Sequence, residues 1–217
     1  MKISYGITVH NEVKELNKLL NILVNNIRFN DEIVICDDYS NKETKDVIEH
    51  WDLHSPDSKN IKYFRHRLNG DFAKHKNSVI KEATGDFIFH IDADEFPNEI
   101  LLEQIPQIIE MNDVDLIWIP RVNTLKGHTE DDVNKWGWRV NEKGWINYPD
   151  YQARVFRNHE DIKWIRPLHE YITGCKTYAH LPPHEELSLY HPKTIEKQEL
   201  QNKFYNENFS REMNIRR

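Results

Sequence analysis

Phe87-Ile88-Phe89-His90-Ile91-Asp92-Ala93-Asp94-Glu95 runs from an almost unbroken apolar segment straight into three carboxylates. Phe87 to Ile91 is apolar on both faces, as a central parallel strand must be when helices cover it above and below. Upstream, Ile3 to Val9 is β-favouring, and Val13, Leu16, Leu19, Leu20, Leu23, Val24 and Ile27 follow at helical spacing, with Asn11 placed to cap that helix. Glu32 to Cys36 repeats the strand pattern, stops at Asp37-Asp38-Tyr39-Ser40-Asn41, and gives way to a helix marked by Thr44, Val47, Ile48 and Trp51. A third strand, Ile61 to Arg65, precedes the loop Arg67 to Phe72 and a helix from Ala73 to Ala83. Strand and helix alternating in this way predict an α/β fold with a mostly parallel sheet. Downstream, Pro97 is expected to start a helix carrying Ile100, Leu101, Gln104 and Ile105, which Pro106 ends or kinks, and Leu116 to Pro120 is the next strand.

Beyond Arg121 the pattern loses its period. Trp136, Trp138, Trp145, Tyr148, Tyr151 and Trp164 are interleaved with glycines and charges, so this half is expected to be loop-rich. The segment from Thr194 onward is polar and helix-permissive, with Ile195, Leu200, Phe204 and Tyr205 as its anchors. The 217 residues suit one domain, divided into residues 1–120 and 121–217. A net charge of −7 and a pI near 5.9 argue against a nucleic-acid partner, which calls for a basic excess. An anionic ligand would need local cations. Cys36 and Cys175 are too few for a disulfide framework and lack the paired spacing of a zinc site, which fits a reducing compartment. No transmembrane segment is expected, and Met1 to Gly6 runs into a strand rather than a signal peptide. A cytoplasmic location is therefore expected, with room for peripheral attachment to a membrane.

In open parallel sheets, ligands bind outside the carboxyl ends of the strands. Residues two apart on an extended segment point to one side, so Asp92 and Asp94 can address one cation, with Ala93 small enough to leave room for a ligand. Hard oxygen ligands suit Mn2+ or Mg2+ holding a diphosphate. The competing reading is a turn or a helix cap. Asp37 and Asp38 end an earlier strand at the same edge, where one could bond a base or ribose, and Thr8 to Asn11 ends the first strand there. Asp-Asp-Tyr-Ser-Asn is equally good turn chemistry.

Four segments, Ile7-Thr8-Val9-His10-Asn11-Glu12, Val34-Ile35-Cys36-Asp37-Asp38-Tyr39-Ser40, Lys76-Asn77 through Ala83-Thr84-Gly85-Asp86-Phe87-Ile88, and His90 to Glu95, occur in the order and approximate spacing of glycosyltransferase family 2. The chain resembles that family most over residues 1–120. The resemblance implies a Rossmann-like GT-A fold, a nucleotide-diphosphate sugar donor linked to UDP or GDP, a hydroxyl acceptor on a glycan, a lipid-linked or another molecule, and inversion at the anomeric carbon. On this match Thr8, Val9, Asn11 and Asp38 line the nucleoside side, Asp92 and Ala93 meet the ribose and the metal's water shell, and Asp94 binds the metal.

The second half resembles a subset of the family in which a segment like Asp150-Tyr151-Gln152-Ala153-Arg154-Val155-Phe156-Arg157 leads, after a tryptophan, to a His-Glu pair, here His169-Glu170. His191, in Tyr190-His191-Pro192-Lys193, resembles the C-terminal histidine that completes metal coordination in many GT-A enzymes. Inverting transfer needs a carboxylate to take the acceptor's proton. Glu170 is the first candidate and Asp150 the second, against structural roles as an ion-pair partner of Arg166 or Arg154, or a loop cap. Lys76, Arg154 and Lys193 are the candidate cations for the diphosphate, and Trp136, Trp138, Trp145 and Tyr148 could stack on sugar faces or pack internally. Two rivals are weighed. A sugar nucleotidyltransferase lacks support because His10-Asn11-Glu12 stands where a Gly-rich, Arg-containing loop would be, and a non-catalytic nucleotide- or carbohydrate-binding module would keep the fold without turnover.

Overall fold

A computed structural model describes residues 1–54 and 60–214. The first two-thirds alternates strand and helix: β1 (Ile3–Val9), α1 (Val13–Asn26), β2 (Glu32–Asp37), α2 (Lys42–His54), β3 (Asn60–Arg65), α3 (Phe72–Glu82), β4 (Phe87–Asp92), β5 (Phe96–Pro97), α4 (Glu99–Asn112) and β6 (Leu116–Ile119). There follow β7 (Arg121–Lys126), α5 (Glu130–Trp136), β8 (Gln152–Arg157), β9 (Lys163–Ile165), β10 (Tyr171–Thr173), β11 (Tyr178–His180), β12 (Leu189–Thr194) and α6 (Ile195–Asn208).

Seven strands form the main sheet in the order β11-β6-β8-β4-β1-β2-β3. β4, β1, β2 and β3 are mutually parallel, while β8 runs antiparallel between β4 and β6. β4 is central and buried on both faces, as its sequence requires: Phe87, Phe89 and Ile91 join the main core with Leu16, Leu19, Leu20 and Leu23 of α1, and Ile88 joins a second cluster with Phe156 and Trp164. Gly6 lets α3 lie close on β1, since a Cβ there would come to 2.6 Å from Val79 Cγ1. That approach sets Lys76, on α3, against the sheet's carboxyl edge.

A small second sheet, β5-β12-β7, ties the far end of the chain to the acidic loop. β12 pairs antiparallel with β5, immediately after Glu95, and parallel with β7 in a register that sets His191 beside Asn123.

Several local expectations are corrected. Asn11 does not cap α1: Glu12 holds the N-cap position without a side-chain bond, and Asn11, at φ 56°, accepts from the Asn41 amide, joining the β1–α1 and β2–α2 loops. Pro97 belongs to β5, and α4 begins at Glu99 with Asn98 capping the Ile100 amide. Pro106 does not end α4, which continues to Asn112, because a proline removes one bond while the buried face of Leu101, Leu102, Ile105 and Ile109 holds the helix down. The half beyond Arg121 is loop-rich as expected, with the short strands β7 to β12 and the helices α5 and α6 set in it. α6 starts where expected, with Thr194 as cap, but Leu200 is 68% exposed and anchors nothing. Tyr205 does anchor it, against Phe72, His169 and Phe209. Among the described residues, no helix is long and apolar enough to cross a membrane.

Candidate active site

The ends of β1, β2 and β4 converge as expected. The register sets Thr8 beside both Cys36 and Asp92, and the Asp38 amide donates to the Val9 carbonyl at 2.9 Å. The two acidic residues closing β2 divide their work. Asp37 is fully buried and accepts from the Ser40 amide, Tyr63 and Arg65, so it holds the turn. Asp38 is half-buried and accepts from the Leu68 amide at 2.9 Å. Ala93 is buried, and its amide faces the Thr8 carbonyl at 3.3 Å.

Asp92 lies among cations. Arg154 Nη2 is 2.6 Å away, Lys76 Nζ 3.2 Å, and the Thr8 hydroxyl 3.4 Å. Burial alone would raise its carboxyl, but Arg154 and Lys76 outweigh that and hold it well below the carboxylate range. Lys76 also pairs with Glu170 at 2.8 Å, so one buried ammonium joins Glu170 to Asp92. Glu95 is fully buried between Arg154 and Arg121, at 2.5 and 2.7 Å, and its role is internal.

Asp94 points elsewhere, toward His191 Nε2 at 3.5 Å and Lys197 Nζ at 3.4 Å. Asp150 is held by Arg121 at 2.6 Å, by the Asn123 amide at 2.8 Å and by Gln152 at 2.9 Å. With its NH2 group donating to Asp150, Asn123 turns its oxygen to His191 Nδ1, 2.8 Å away. That network assigns the proton to Nδ1. The lone pair of Nε2 then faces the Asp94 carboxylate across a gap too long for a hydrogen bond. Burial lowers the His191 imidazole below its ordinary value, so it meets Asp94 neutral near pH 7, as a metal ligand must. Burial tends to raise Asp94, but the charges of Lys193 and Lys197 hold it down as a carboxylate. A carboxylate oxygen and an oriented imidazole nitrogen are a donor pair suited to Mn2+ or Mg2+, with Asn123 and Asp150 fixing the imidazole from behind.

The structure thus brings Thr8, Val9, Asp38, Lys76, Asp92, Ala93 and Glu170 to one edge, with Asp94 and His191 beside them, and it sets Asn11 at the neighbouring loop junction. Of the candidate cations, Lys76 and Arg154 touch Asp92, while Lys193 donates to Gln201. Glu170 and Asp150 do not share a place: the first lies against Lys76 and Asp92, the second behind His191. Among the described residues Glu170 pairs with Lys76 and Asp150 with Arg121. Trp136 and Trp138 pair at 4.6 Å, Trp145 and Tyr148 at 4.8 Å, all half-buried. Sequence reasoning missed Asn123, Arg121 and Lys197, and it grouped Glu95 with Asp92 and Asp94 as a carboxylate facing the ligand, where the structure instead buries it between Arg121 and Arg154.

Acidic residues gathered at the carboxyl edge of a mostly parallel sheet flanked by helices are the arrangement of a GT-A type of fold. The family profile described as "Glycosyl transferase family 2" matches residues 4–180, and the chain belongs to that family. It is 32% identical over 176 residues to the SPbeta prophage-derived glycosyltransferase SunS of Bacillus subtilis, covering 79% of this chain and 39% of SunS. It is 27% identical over 122 residues to poly(ribitol-phosphate) beta-N-acetylglucosaminyltransferase TarS of Staphylococcus aureus, covering 55% of this chain and 21% of TarS. The crystal structure of S. aureus TarS 1-349 in complex with UDP-GlcNAc shares the fold, with a TM-score of 0.63 at 18% identity, covering 89% of this chain and 59% of that one. The chain therefore spans well under half the length of these curated relatives.

Proposed function

We propose that this protein transfers a sugar from a UDP- or GDP-linked donor to a hydroxyl acceptor, on a glycan, a lipid-linked molecule or another carrier, with inversion and with a divalent cation. The observation that carries the proposal is the His191 imidazole, oriented by Asn123 and Asp150, presenting a bare nitrogen toward Asp94 at the sheet's ligand-binding edge. Asp94 and His191 would hold Mn2+ or Mg2+, with Asp92 on its water shell. When bound, the cation offsets charge developing on the diphosphate.

The nucleoside lies along Thr8, Val9, Asn11 and Asp38, and the ribose meets Asp92 and Ala93. Lys76 and Arg154 supply the positive charge that an acidic chain needs around a diphosphate. Residues 1–120 then form the donor half and 121–217 the acceptor half of one domain. Glu170 is the base: its carboxylate takes the acceptor's proton as that oxygen attacks the anomeric carbon and the bond to the diphosphate breaks. Its contact with Lys76, at the donor edge, favours it over Asp150, whose oxygens are engaged in holding Arg121, Asn123 and Gln152.

The test is a thermal-shift panel of UDP- and GDP-linked sugars with and without Mn2+, since a ligand of the native state raises its stability by mass action. One nucleotide family should raise the Tm, and only with Mn2+. No shift from any of them contradicts the donor assignment, and a shift without turnover marks a binding module.

A further inference from the structure

Cys36, His66 and His75 meet away from the acidic loop, beneath the turn that carries Asp38. Cys36 is the next-to-last residue of β2 and fully buried, His66 follows the end of β3, and His75 lies near the start of α3 and is 4% exposed. In the parallel pairing of β2 with β3 Cys36 lies opposite Phe64, and the His66 amide donating to the Asp37 carbonyl at 3.1 Å carries the pairing on, so His66, two residues past Phe64, is a diagonal neighbour of Cys36 on the same face. Cys36 Sγ is 3.7 Å from His75 Nδ1, and His66 Nδ1 is 3.4 Å from the same nitrogen. One donor atom from each residue lies within 4.8 Å of the others.

These spacings are those of ligands around one small cation. With metal–sulfur and metal–nitrogen bonds of about 2.3 and 2.05 Å, tetrahedral geometry separates sulfur from nitrogen by roughly 3.6 Å and nitrogen from nitrogen by roughly 3.3 Å. The contacts at 3.7 and 3.4 Å match both edges. As a hydrogen bond, a 3.4 Å contact between two ring nitrogens is beyond the usual range.

We propose that Cys36, His66 and His75 form a site for a zinc-class divalent cation, with a fourth position toward solvent, past half-buried His66, for water. Binding breaks the Cys36 S–H bond, forms a sulfur–metal bond and releases the proton to water, with no change of oxidation state. Ser78 Oγ lies 3.1 Å from the sulfur and gives its proton to the His75 carbonyl at 2.6 Å, so it accepts from the Cys36 thiol in the metal-free protein. The sulfur ligand separates this site from the Asp94–His191 pair, whose oxygen donor suits harder cations. A bound ion would brace β2, β3 and α3 under Asp38, which is two residues beyond Cys36 and accepts from the Leu68 amide two residues beyond His66.

The test uses the full chain, stripped with chelator and titrated with Co2+ as the spectroscopic probe. The expected result is one equivalent giving a near-ultraviolet thiolate-to-Co2+ charge-transfer band, removed by Zn2+. The band should persist in Cys175→Ser and in Asp94→Ala, so the outcome is independent of the glycosyltransferase assignment. It should vanish in Cys36→Ser, and Co2+ affinity should fall about tenfold or more in His66→Ala. Circular dichroism checks that each variant folds; should Cys36→Ser not fold, His66→Ala, at a half-buried position, decides. A wild-type chain without the band, a band lost in Cys175→Ser, or Co2+ affinity unchanged in His66→Ala overturns the proposal.

Discussion

Asp94 and Glu95 are consecutive carboxylates in opposite surroundings, and the difference is measurable. Glu95 is fully buried between Arg121 and Arg154, so Glu95→Ala takes one of two carboxylates from each guanidinium, Arg121 keeping Asp150 and Arg154 keeping Asp92, and should cost roughly 1–3 kcal/mol in urea unfolding. Asp94 faces His191 and Lys197 at the edge of the site, and Lys197 keeps Glu12 at 2.7 Å when Asp94 is gone. Asp94→Ala should therefore change stability by only about 1 kcal/mol while abolishing transfer. Glu170→Gln keeps the side chain's size but removes its basicity, so kcat should fall ~10²-fold or more with donor affinity preserved. Asp150→Asn and Asn123→Ala should instead weaken Mn2+ binding by about 10- to 100-fold, as expected of groups that orient a ligand from behind. If Asp150→Asn loses turnover with metal binding intact while Glu170→Gln turns over normally, the base is Asp150. Asp92, Asp94 and His191 could be picked out from the sequence because a strand end and a family pattern mark them. Asn123 could not be, since its partner is 68 residues away and only the β7–β12 register joins them.

At the scale of elements, the edge where β2 begins is pinned by Glu32, which accepts from Lys2, Ser4 and both the amide and hydroxyl of Thr84. Burial pushes this carboxyl up, but those hydrogen bonds overcome it and bring it from 4.5 to about 2. A carboxyl depressed in the folded state adds stability above its unfolded value and loses it as pH falls through the folded one. Glu32→Gln should thus cost roughly 2 kcal/mol at pH 7, and its difference from wild type should shrink between pH 4.5 and 2. A difference independent of pH would place the effect in packing. The elements up to β6 were legible because long, periodic segments alternate there. Later, β9, β10 and β11, three residues each, show too few repeats to reveal a period, and α6 has no buried residue, so it carries no apolar stripe to read. Pro106 does not end α4 because core burial on that helix outweighs one lost bond.

Across the whole molecule, an acidic chain gathers Lys76, Arg154, Arg121, Lys193 and Lys197 around Asp92, Asp94 and Glu95. Lys197 comes from α6 and His191 from β12, so the end of the described chain completes an edge that begins at Thr8. On the proposed function, this edge binds a nucleoside diphosphate through a cation on Asp94 and His191. Calorimetric titration of UDP and GDP into wild type and Asp94→Ala, with Mn2+ and after chelation, tests it most directly. One nucleotide should bind wild type with Mn2+ and lose about tenfold or more in affinity on chelation, while Asp94→Ala should show the weaker affinity whether Mn2+ is present or not. Equal affinity with and without Mn2+, or an Asp94→Ala protein that binds as wild type does, would contradict it.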